Sequence, residues 1–260
     1  MPRVIMVWIR SARLLGHIVA GVVAATAVRI DPTQRLHPEP VARWWSRKLL
    51  RILNLQLTIH GQALNGPRVT VANHISWLDI PLLAAGGDFR FIAKSEIRTW
   101  PVAGWLADAA GTFYIRRGKG GARPLLERLV PHLINGGSVV LFPEGTTTAG
   151  TDVLPFHARL FAAAVESGTD VQPVALRYLP TADGRSIAPF IGDDDLFSHI
   201  LRLLREPKLH AELIYGGPIA SATLERDELA RVARQQIRHS LQPGLTEDSV
   251  PAQTATRLAA

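Results

Sequence analysis

Apolar and polar residues follow two different periods along this chain, and the change between them marks how it is organised. From residue 55 the apolar side chains Leu55, Leu57 and Ile59 alternate with polar ones, which is the period of a half-buried β-strand. Further strand-like apolar runs follow at 69–72, 89–93, 112–116, 138–142, 171–178 and 209–215. Apolar residues at helical spacing lie between these runs, at 78–85, 101–109, 121–134, 158–166 and 224–241. The alternation predicts an α/β domain over residues 55–242, with a mixed β-sheet flanked by helices on both faces.

The first 54 residues have a different pattern and predict an N-terminal membrane-associating helical segment. Residues 4–28 are mostly apolar, but their uninterrupted part is shorter than the about twenty residues that cross a bilayer core. Arg10 and Arg13 at one end and Arg29 at the other would then snorkel to the interface, around a marginal span or a deeply embedded helix. A signal peptide with a cleavage site at 25–27 is the competing interpretation.

A second helix is predicted over 41–53, after a proline-rich turn at 31–40. Its apolar residues, Trp45 and Leu49 among them, are interspersed with basic ones, as in an amphipathic helix at a membrane interface. The alternative is a helical hairpin that packs on the following domain. At the other end of the chain, residues 243–260 are polar and lack periodicity, so they predict a disordered tail.

Composition and charge narrow the function classes. The 260 residues suffice for a domain with a sizeable core, and the absence of cysteine excludes disulfides and thiolate chemistry. The nine histidines show no metal-binding spacing, so no metal site is expected. Residues 1–60 hold nine basic and two acidic residues, which accounts for the whole formal net charge of +7. Because these charges are interspersed with apolar runs and no nucleic-acid motif is present, they indicate an anionic membrane surface and not nucleic acid.

The residues that follow the predicted strand at 69–72 carry the first candidate chemistry. They read Asn-His-Ile-Ser-Trp-Leu-Asp over 73–79, so a turn presents His74 and the next helix begins near Asp79. Histidine is the side chain best suited to accept a proton near neutral pH. A carboxylate that curls back onto one ring nitrogen would leave the other nitrogen free to act as a base. The alternative is a capped turn residue followed by an ordinary first-turn carboxylate, stabilised by the helix dipole.

A second stretch, Phe-Pro-Glu-Gly-Thr over 142–146, again ends a strand-like run. Together with Asn73, His74, Ser76 and Asp79, about seventy residues earlier, it resembles the glycerolipid acyltransferase family. The best-known members of that family are the 1-acylglycerol-3-phosphate acyltransferases. Two further blocks are similar and fall in the same order, Gly-Thr-Phe-Tyr-Ile-Arg-Arg over 111–117 and Val-Gln-Pro-Val over 171–174. The resemblance therefore extends over residues 55–217.

The resemblance implies an enzyme that transfers a fatty acyl chain from acyl carrier protein or coenzyme A to the hydroxyl of a membrane lysolipid, without a cofactor. His74 is the expected base and Asp79 its orienting partner. Because these thioester donors are cytoplasmic, the resemblance favours a membrane anchor over a signal peptide and implies the cytoplasmic face of the cell inner membrane. The residues expected to bind substrate are Asn73, Ser76, Arg117, Glu144, Gly145 and Thr146.

Different roles are expected within this set. Arg117 is the candidate phosphate clamp, since a guanidinium binds phosphate bidentately, and its alternative is a solvated strand-end charge. The resemblance assigns Glu144 and Gly145 to the acceptor, and the main-chain N–H groups around Gly145 are candidate oxyanion donors. Without the resemblance to this family, Glu144 would be interpreted as a solvated loop carboxylate. Ser76 is expected to support the helix start, because a nucleophilic Ser76 would lack the Gly-x-Ser-x-Gly elbow of lipid hydrolases.

One position departs from the pattern of the phosphate-accepting members. Many of them continue the 142–146 motif with arginine, whereas this chain has Thr147. Members without that arginine include enzymes that resemble lyso-ornithine lipid acyltransferases. Arg159 either returns a guanidinium to the pocket or begins the next helix, and His157 is interpreted as a cap or a packed surface residue.

The acceptor expected first is 1-acyl-sn-glycerol-3-phosphate, which gives phosphatidic acid. A lyso-ornithine lipid is the alternative acceptor, and a non-catalytic membrane lipid-binding protein is the alternative of another class.

Overall fold

The computed structural model describes residues 3–33, 35–116 and 122–242, and the predicted mixed β-sheet is present within them. Its strands are β1 Leu55–His60, β2 Val69–Ala72, β3 Arg90–Lys94, β4 Phe113–Ile115, β5 Val139–Leu141, β6 Val171–Tyr178 and β7 Leu209–Tyr215. Their order across the sheet is β1-β7-β6-β2-β5-β3-β4. All neighbours are parallel except β6 and β7, so β1 and β7 run opposite to the other strands. The sequence prediction of these strands is confirmed, with small shifts at their ends.

Helices cover both faces of the sheet, as predicted. In the described part of the chain they are α1 Arg3–Ile30, α2 Pro38–Leu53, α3 Asp79–Gly86, α4 Pro101–Ala109, α5 Ala122–Ile134, α6 Ala162–Ser167, α7 Leu196–Arg205 and α8 Arg226–Ser240. Successive side chains of β5 belong to two different apolar cores. Val140 packs in the core that α2, α3 and α7 also line. Val139 and Leu141 pack in the core lined by α5, α6 and α8.

α2 is part of the core and not an interfacial helix. Its residues Leu49, Leu50, Ile52 and Leu53 are buried in the layer that also holds α3 and α7. Arg47, one of its basic residues, donates from Nε to the carbonyl of Ala85 at 2.8 Å. The prediction of an interfacial helix was wrong, because an amphipathic pattern indicates one apolar face but not whether protein or lipid covers it. The alternative interpretation, a helix packed on the domain, matches the structure.

α1 packs one face on α2 and α4 and exposes the other. Nε2 of His17 lies 2.9 Å from the carbonyl oxygen of Trp45, and the two rings are stacked. The Trp45 ring also lies so close to Gly21 that a Cβ there would collide with it. Within the described residues, α1 is the helix that is long and apolar enough to cross a membrane. Its buried residues, Leu14 among them, instead join it to the same core as α2.

The arginines of α1 that were predicted to snorkel are bound by protein groups. Arg10 donates to the carbonyl oxygens of Glu206 at 2.6 Å and Pro207 at 3.0 Å, just after α7. Arg29 lies over the Trp105 ring, 4.5 Å from its centroid, and pairs with Asp108 at 3.5 Å. The snorkelling prediction is therefore wrong for these two residues. It assumed that α1 stands free of the domain.

Two further differences concern helices. α7 is not among the helices predicted from the sequence, although Asp195 caps its start by accepting from the Ser198 N–H at 2.9 Å. The predicted helix over 158–166 is a 3₁₀-helix, Ala158–Phe161, followed by α6. The predicted tail at 243–260 lies outside the described residues.

Candidate active site

The motif residues lie together at one edge of the sheet. The parallel strands β2, β5 and β6 are neighbours and end at this edge. His74 follows β2, Glu144 follows β5, and Tyr178 is the last residue of β6. Open α/β sheets bind ligands at the carboxyl ends of their strands, so the topology brings these side chains to the expected place.

His74 and Asp79 form the hydrogen bond that the sequence spacing predicts. Nδ1 of His74 lies 2.7 Å from Oδ2 of Asp79, the first residue of α3. The same oxygen accepts the main-chain N–H groups of Ile75 at 2.7 Å and Ser76 at 2.9 Å, so the turn encloses the carboxylate. The Asp79 side chain is 0% exposed, whereas that of His74 is 19% exposed. Because Nδ1 donates to the carboxylate, Nε2 is left as the acceptor nitrogen of the ring.

A tyrosine completes the surroundings of Asp79. The hydroxyl of Tyr178 donates to Oδ1 of Asp79 at 2.6 Å. Burial, and then the neighbouring carboxylate of Asp79, raise the pKa of Tyr178 well above its ordinary value, so the hydroxyl stays protonated. Tyr178 is not among the predicted site residues, because in the sequence it is only the last residue of a strand. Strand pairing between β2 and β6 is the signal that places the two residues together.

Glu144 braces the His74 turn and is not a solvated loop carboxylate. Its Oε1 accepts the main-chain N–H of His74 at 2.7 Å and its Oε2 accepts that of Leu154 at 2.9 Å. The side chain is 4% exposed, and burial raises its pKa, although the two main-chain N–H groups partly offset that effect. Both oxygens thus hold main-chain N–H groups, and the predicted contact of Glu144 with the acceptor stays a prediction. The His74 ring also stacks on Phe142, with centroids 4.2 Å apart.

The residues that follow Phe142 form a tight turn beside the His74 ring. The Gly145 N–H donates to the Phe142 carbonyl at 3.1 Å, and Gly145 has a φ of +70°, which favours glycine. That N–H is therefore not free for an oxyanion, which corrects one of the predicted donors. Thr146 is exposed, and its N–H makes no hydrogen bond within the described residues. It is a main-chain donor of this turn that has no acceptor within the described residues.

A family model named Acyltransferase matches residues 54–177. The lyso-ornithine lipid O-acyltransferase of Pseudomonas aeruginosa is 45% identical over 240 residues, which cover 90% of this chain and 92% of that protein. The chain belongs to the acyltransferase family. The 1-acyl-sn-glycerol-3-phosphate acyltransferase of Neisseria meningitidis serogroup B is 32% identical, covering 78% of this chain and 80% of its own. These findings confirm the resemblance drawn from the four blocks and identify the protein as an acyltransferase.

The fold of this acyltransferase is also that of a solved structure. The 1-acyl-sn-glycerophosphate acyltransferase of Thermotoga maritima superimposes with a TM-score of 0.62. The alignment covers 89% of this chain and 96% of that chain, at 19% sequence identity. At that identity the comparison shows the fold alone, and it confirms the predicted mixed sheet with flanking helices.

Asn73 supports the acyltransferase turn from within, whereas the buried Ser76 side chain makes no hydrogen bond within the described residues. Oδ1 of Asn73 accepts the Leu176 N–H at 2.7 Å and its Nδ2 donates to the Leu176 carbonyl at 3.0 Å, with the residue only 1% exposed. Ser76 is fully buried, and its Oγ has no partner within the described residues. The prediction that these side chains bind substrate is therefore corrected, because neither reaches the surface. Arg117, the predicted phosphate clamp, lies outside the described residues.

A second imidazole lies on the other side of the Phe142–Gly145 turn. The His157 N–H donates to the Pro143 carbonyl at 2.9 Å. A Cβ on Gly145 would lie 3.2 Å from the His157 ring, so the ring rests against that glycine. His157 is exposed, as is Arg159 two residues later. The sequence analysis treated His157 as a cap or a packed surface residue, since nothing local indicates that its backbone joins the turn after β5.

Proposed function

We propose that this acyltransferase moves a fatty acyl chain from a thioester donor, acyl carrier protein or acyl-coenzyme A, to the hydroxyl of a membrane lysolipid. The observation that carries the proposal is the 2.7 Å hydrogen bond between His74 and the buried carboxylate of Asp79. That bond fixes the tautomer in which Nε2 holds a lone pair toward the open side of the turn. A neutral imidazole in this arrangement is suited to take the proton of a hydroxyl.

Direct attack of the acceptor needs no covalent enzyme intermediate. As Nε2 of His74 takes the hydroxyl proton, the acceptor oxygen adds to the thioester carbonyl and an oxyanion forms. The C–S bond then breaks, the ester remains on the acceptor, and the leaving thiolate takes the proton from the imidazolium. Asp79 stabilises the imidazolium while it carries this proton. The N–H of Thr146 is the main-chain donor that we assign to the oxyanion.

The acceptor that we favour is a lyso-ornithine lipid. A relative that carries this activity in its name is 45% identical over nearly the whole chain. The position where many phosphate-accepting members have arginine is Thr147, whose hydroxyl donates to the Phe190 carbonyl. The pocket therefore has no guanidinium at that position to bind a phosphate. These two observations support a zwitterionic head group.

The second candidate acceptor is 1-acyl-sn-glycerol-3-phosphate, which would make phosphatidic acid the product. The relative from Neisseria meningitidis that is named for this reaction is 32% identical over 78% of the chain. Arg117 is the residue proposed to bind the phosphate in this case, because a guanidinium forms bidentate hydrogen bonds with phosphate.

A lysolipid acceptor requires that the enzyme work at a membrane, and α1 is the segment proposed to hold it there. Along its outward face, Val4, Trp8, Leu15, Val19, Val23 and Ile30 are exposed. α1 packs one face on protein and exposes an apolar stripe with basic residues beside it. Such a helix is suited to lie in an anionic bilayer interface. We propose the cytoplasmic face of the cell inner membrane, where thioester donors are available.

The proposal is tested by acyl transfer with the purified full-length protein in mixed micelles, with both acceptors present in competition. Acylation of the lyso-ornithine lipid alone supports the favoured acceptor, and phosphatidic acid alone would establish the second candidate. Loss of turnover in a folded His74→Ala variant supports the proposed base, whereas full activity in that variant overturns it. Lipid binding without turnover for every donor and acceptor would establish the non-catalytic alternative.

A further inference from the structure

The two carboxylate oxygens of Asp79 have different partners. Oδ2 accepts three hydrogen bonds, all from the segment 74–76: from the His74 ring and from the main-chain N–H groups of Ile75 and Ser76. Oδ1 accepts from the Tyr178 hydroxyl, at 2.6 Å. Tyr178 ends β6, a strand from another part of the chain, and it lies outside the four blocks on which the family resemblance rests. The carboxylate that orients His74 is thus held from two sides.

We propose that Tyr178 is a positioning residue for the reaction, which acts through Asp79 to fix the orientation and the basicity of His74. The inference rests on the proposed function, in which His74 is the base. Asp79 is 0% exposed, so water cannot replace the Tyr178 hydroxyl at Oδ1. Without that hydroxyl, one oxygen of a buried carboxylate would have no donor, and the carboxylate would rotate to relieve this.

The place of Tyr178 is fixed by a second contact between the same segments. Two residues before it on β6, the main chain of Leu176 makes two hydrogen bonds with the buried Asn73 side chain, directly before His74. The contacts Asn73–Leu176 and Asp79–Tyr178 therefore join the catalytic turn to β6 at both of its ends. A strand fixed in this way holds the phenol hydroxyl at a constant distance from the carboxylate.

The hydrogen bond to Oδ1 also sets how strongly Asp79 attracts the imidazolium. A donor that stabilises the carboxylate charge weakens its pull on a protonated His74 ring, so removal of the donor strengthens that pull while the carboxylate stays charged. The titratable groups that surround His74 are Asp79 on α3, Glu144 after β5, Tyr178 on β6 and His157 across the Phe142–Gly145 turn. Of these, only Tyr178 contacts Oδ1, so its removal tests one interaction.

The test is the pH dependence of kcat for acyl transfer in Tyr178→Phe. Loss of one hydrogen bond to a charged group predicts a kcat about ten- to a hundredfold lower, with KM for both substrates unchanged within about twofold. The acidic limb of the profile, which requires neutral His74, should move to higher pH by about half a unit to one unit. The matched control is Tyr215→Phe, which removes another buried tyrosine hydroxyl, on the neighbouring strand β7, where Tyr215 pairs with Val174 and not with Tyr178. We expect this control to keep the rate and pH profile of the natural enzyme.

A folded Tyr178→Phe variant with the natural rate and pH profile would overturn the inference. If His74→Ala is inactive in the same assay, the proposed function stands despite that result. If His74→Ala is fully active, the proposed function fails and the inference fails with it. Incorporation of 3-fluorotyrosine at position 178 covers the case in which the phenylalanine variant does not fold. Its more acidic hydroxyl is a stronger donor, so the acidic limb should move to lower pH, and an unmoved limb would overturn the inference.

Discussion

The main-chain N–H of His74 donates to Oε1 of Glu144 over 2.7 Å, so the loop after β2 is joined to the loop after β5 through a buried carboxylate. The other oxygen of Glu144 accepts the N–H of Leu154 at 2.9 Å. Arg234 on α8 in turn donates to the Leu154 carbonyl at 2.9 Å. The position of the His74 backbone therefore depends on a chain of contacts that begins on a distant helix.

Replacement of Glu144 by glutamine should damage both stability and activity. The amide nitrogen of glutamine would face a main-chain N–H group, so one buried donor loses its acceptor. We expect the free energy of unfolding to fall by about 1–3 kcal/mol. We also expect kcat to fall at least about tenfold, because the backbone of His74 moves. Denaturant unfolding and steady-state kinetics check this, with Glu228→Gln on the exposed face of α8 as the control. A fully active variant would show that the brace is dispensable.

A comparison of the natural protein with the Glu144→Gln variant also gives a prediction about the pH dependence of stability. Burial raises the pKa of Glu144 in the folded state, so the folded protein binds its proton more tightly than the unfolded chain does. The stability that Glu144 contributes is therefore greatest below its ordinary pKa and falls as the pH rises through the raised value. Glutamine does not titrate. The difference in unfolding free energy, natural protein minus Glu144→Gln, should thus decrease as the pH is raised from about 4.5 toward neutrality. A constant difference would contradict the raised pKa.

Asp79→Asn should abolish most turnover without changing the size of the side chain. An amide cannot accept all the hydrogen bonds that the carboxylate accepts, and its nitrogen would face donors or reverse the His74 tautomer. We expect kcat to fall about 10³- to 10⁴-fold, as in other dyads that lose the orienting carboxylate. Asp227→Asn, in the exposed first turn of α8, is the control. A kcat within tenfold of the natural value would remove Asp79 from the mechanism.

Thr147 gives a prediction about the acceptor. Thr147→Arg places a guanidinium at the position where many phosphate-accepting members have one. We expect the ratio of kcat/KM for 1-acylglycerol-3-phosphate over lyso-ornithine lipid to rise about tenfold, from a new charge-assisted contact. Thr147→Val, which loses the hydrogen bond to Phe190 but gains no charge, should leave the ratio unchanged. An equal change in both variants would mean that the Phe190 contact, and not the charge, determines the preference.

Gly145→Ala tests the turn between the two imidazoles. Its φ of +70° is unfavourable for alanine, and the new methyl group would press on the His157 ring at 3.2 Å. We expect the strained backbone to lower the free energy of unfolding by about 1 kcal/mol, and we also expect lower activity. In the double variant with His157→Ala, the part of the stability loss that comes from the clash with the ring should be recovered. The part that comes from the strained backbone should remain. A double variant no better than Gly145→Ala would show that the ring moves aside freely.

The outward face of α1 gives a prediction about membrane binding. Val19 is 57% exposed on that face, and Val19→Asp places a charge in the proposed contact with lipid. We expect several-fold weaker sedimentation with anionic vesicles, since both apolar area and charge balance change. Ile134→Asp, at an equally exposed apolar residue at the end of α5, is the matched control. Equal loss of binding in both variants would remove α1 as the specific contact.

Sequence periodicity was sufficient to predict the strands of the sheet, and the spacing of His74 and Asp79 together with the family resemblance predicted their hydrogen bond. The strands from β1 to β7 are short and show apolar runs or alternation, and the motif turn is local, since Asp79 lies only five residues after His74. Local geometry of this kind is contained in the spacing of the residues. The spacing therefore allowed the carboxylate contact, and the family resemblance favoured it over a capped turn residue.

The remaining features depend on contacts between segments that are far apart in the chain. Tyr178 meets Asp79 across 99 positions, and Glu144 meets His74 across 70, so no local pattern indicates either contact. The same limit explains the error for α2, whose apolar face is covered by protein and not by lipid. It also explains Arg10, which binds carbonyl groups after α7, a helix that the sequence analysis did not predict.

The packing of α1 has a consequence for how the enzyme meets its acceptor. α1 shares a core with α2 and is joined to it by His17 and Trp45, so the helix is packed on the domain that holds the catalytic sheet. If α1 lies in the bilayer interface, the site is held at one height and one tilt above the lipid, with no flexible tether to vary them. The enzyme then meets its acceptor by diffusion within the plane of the membrane. Its rate should follow the mole fraction of acceptor in the membrane and fall when inert lipid dilutes that acceptor, even at constant bulk concentration.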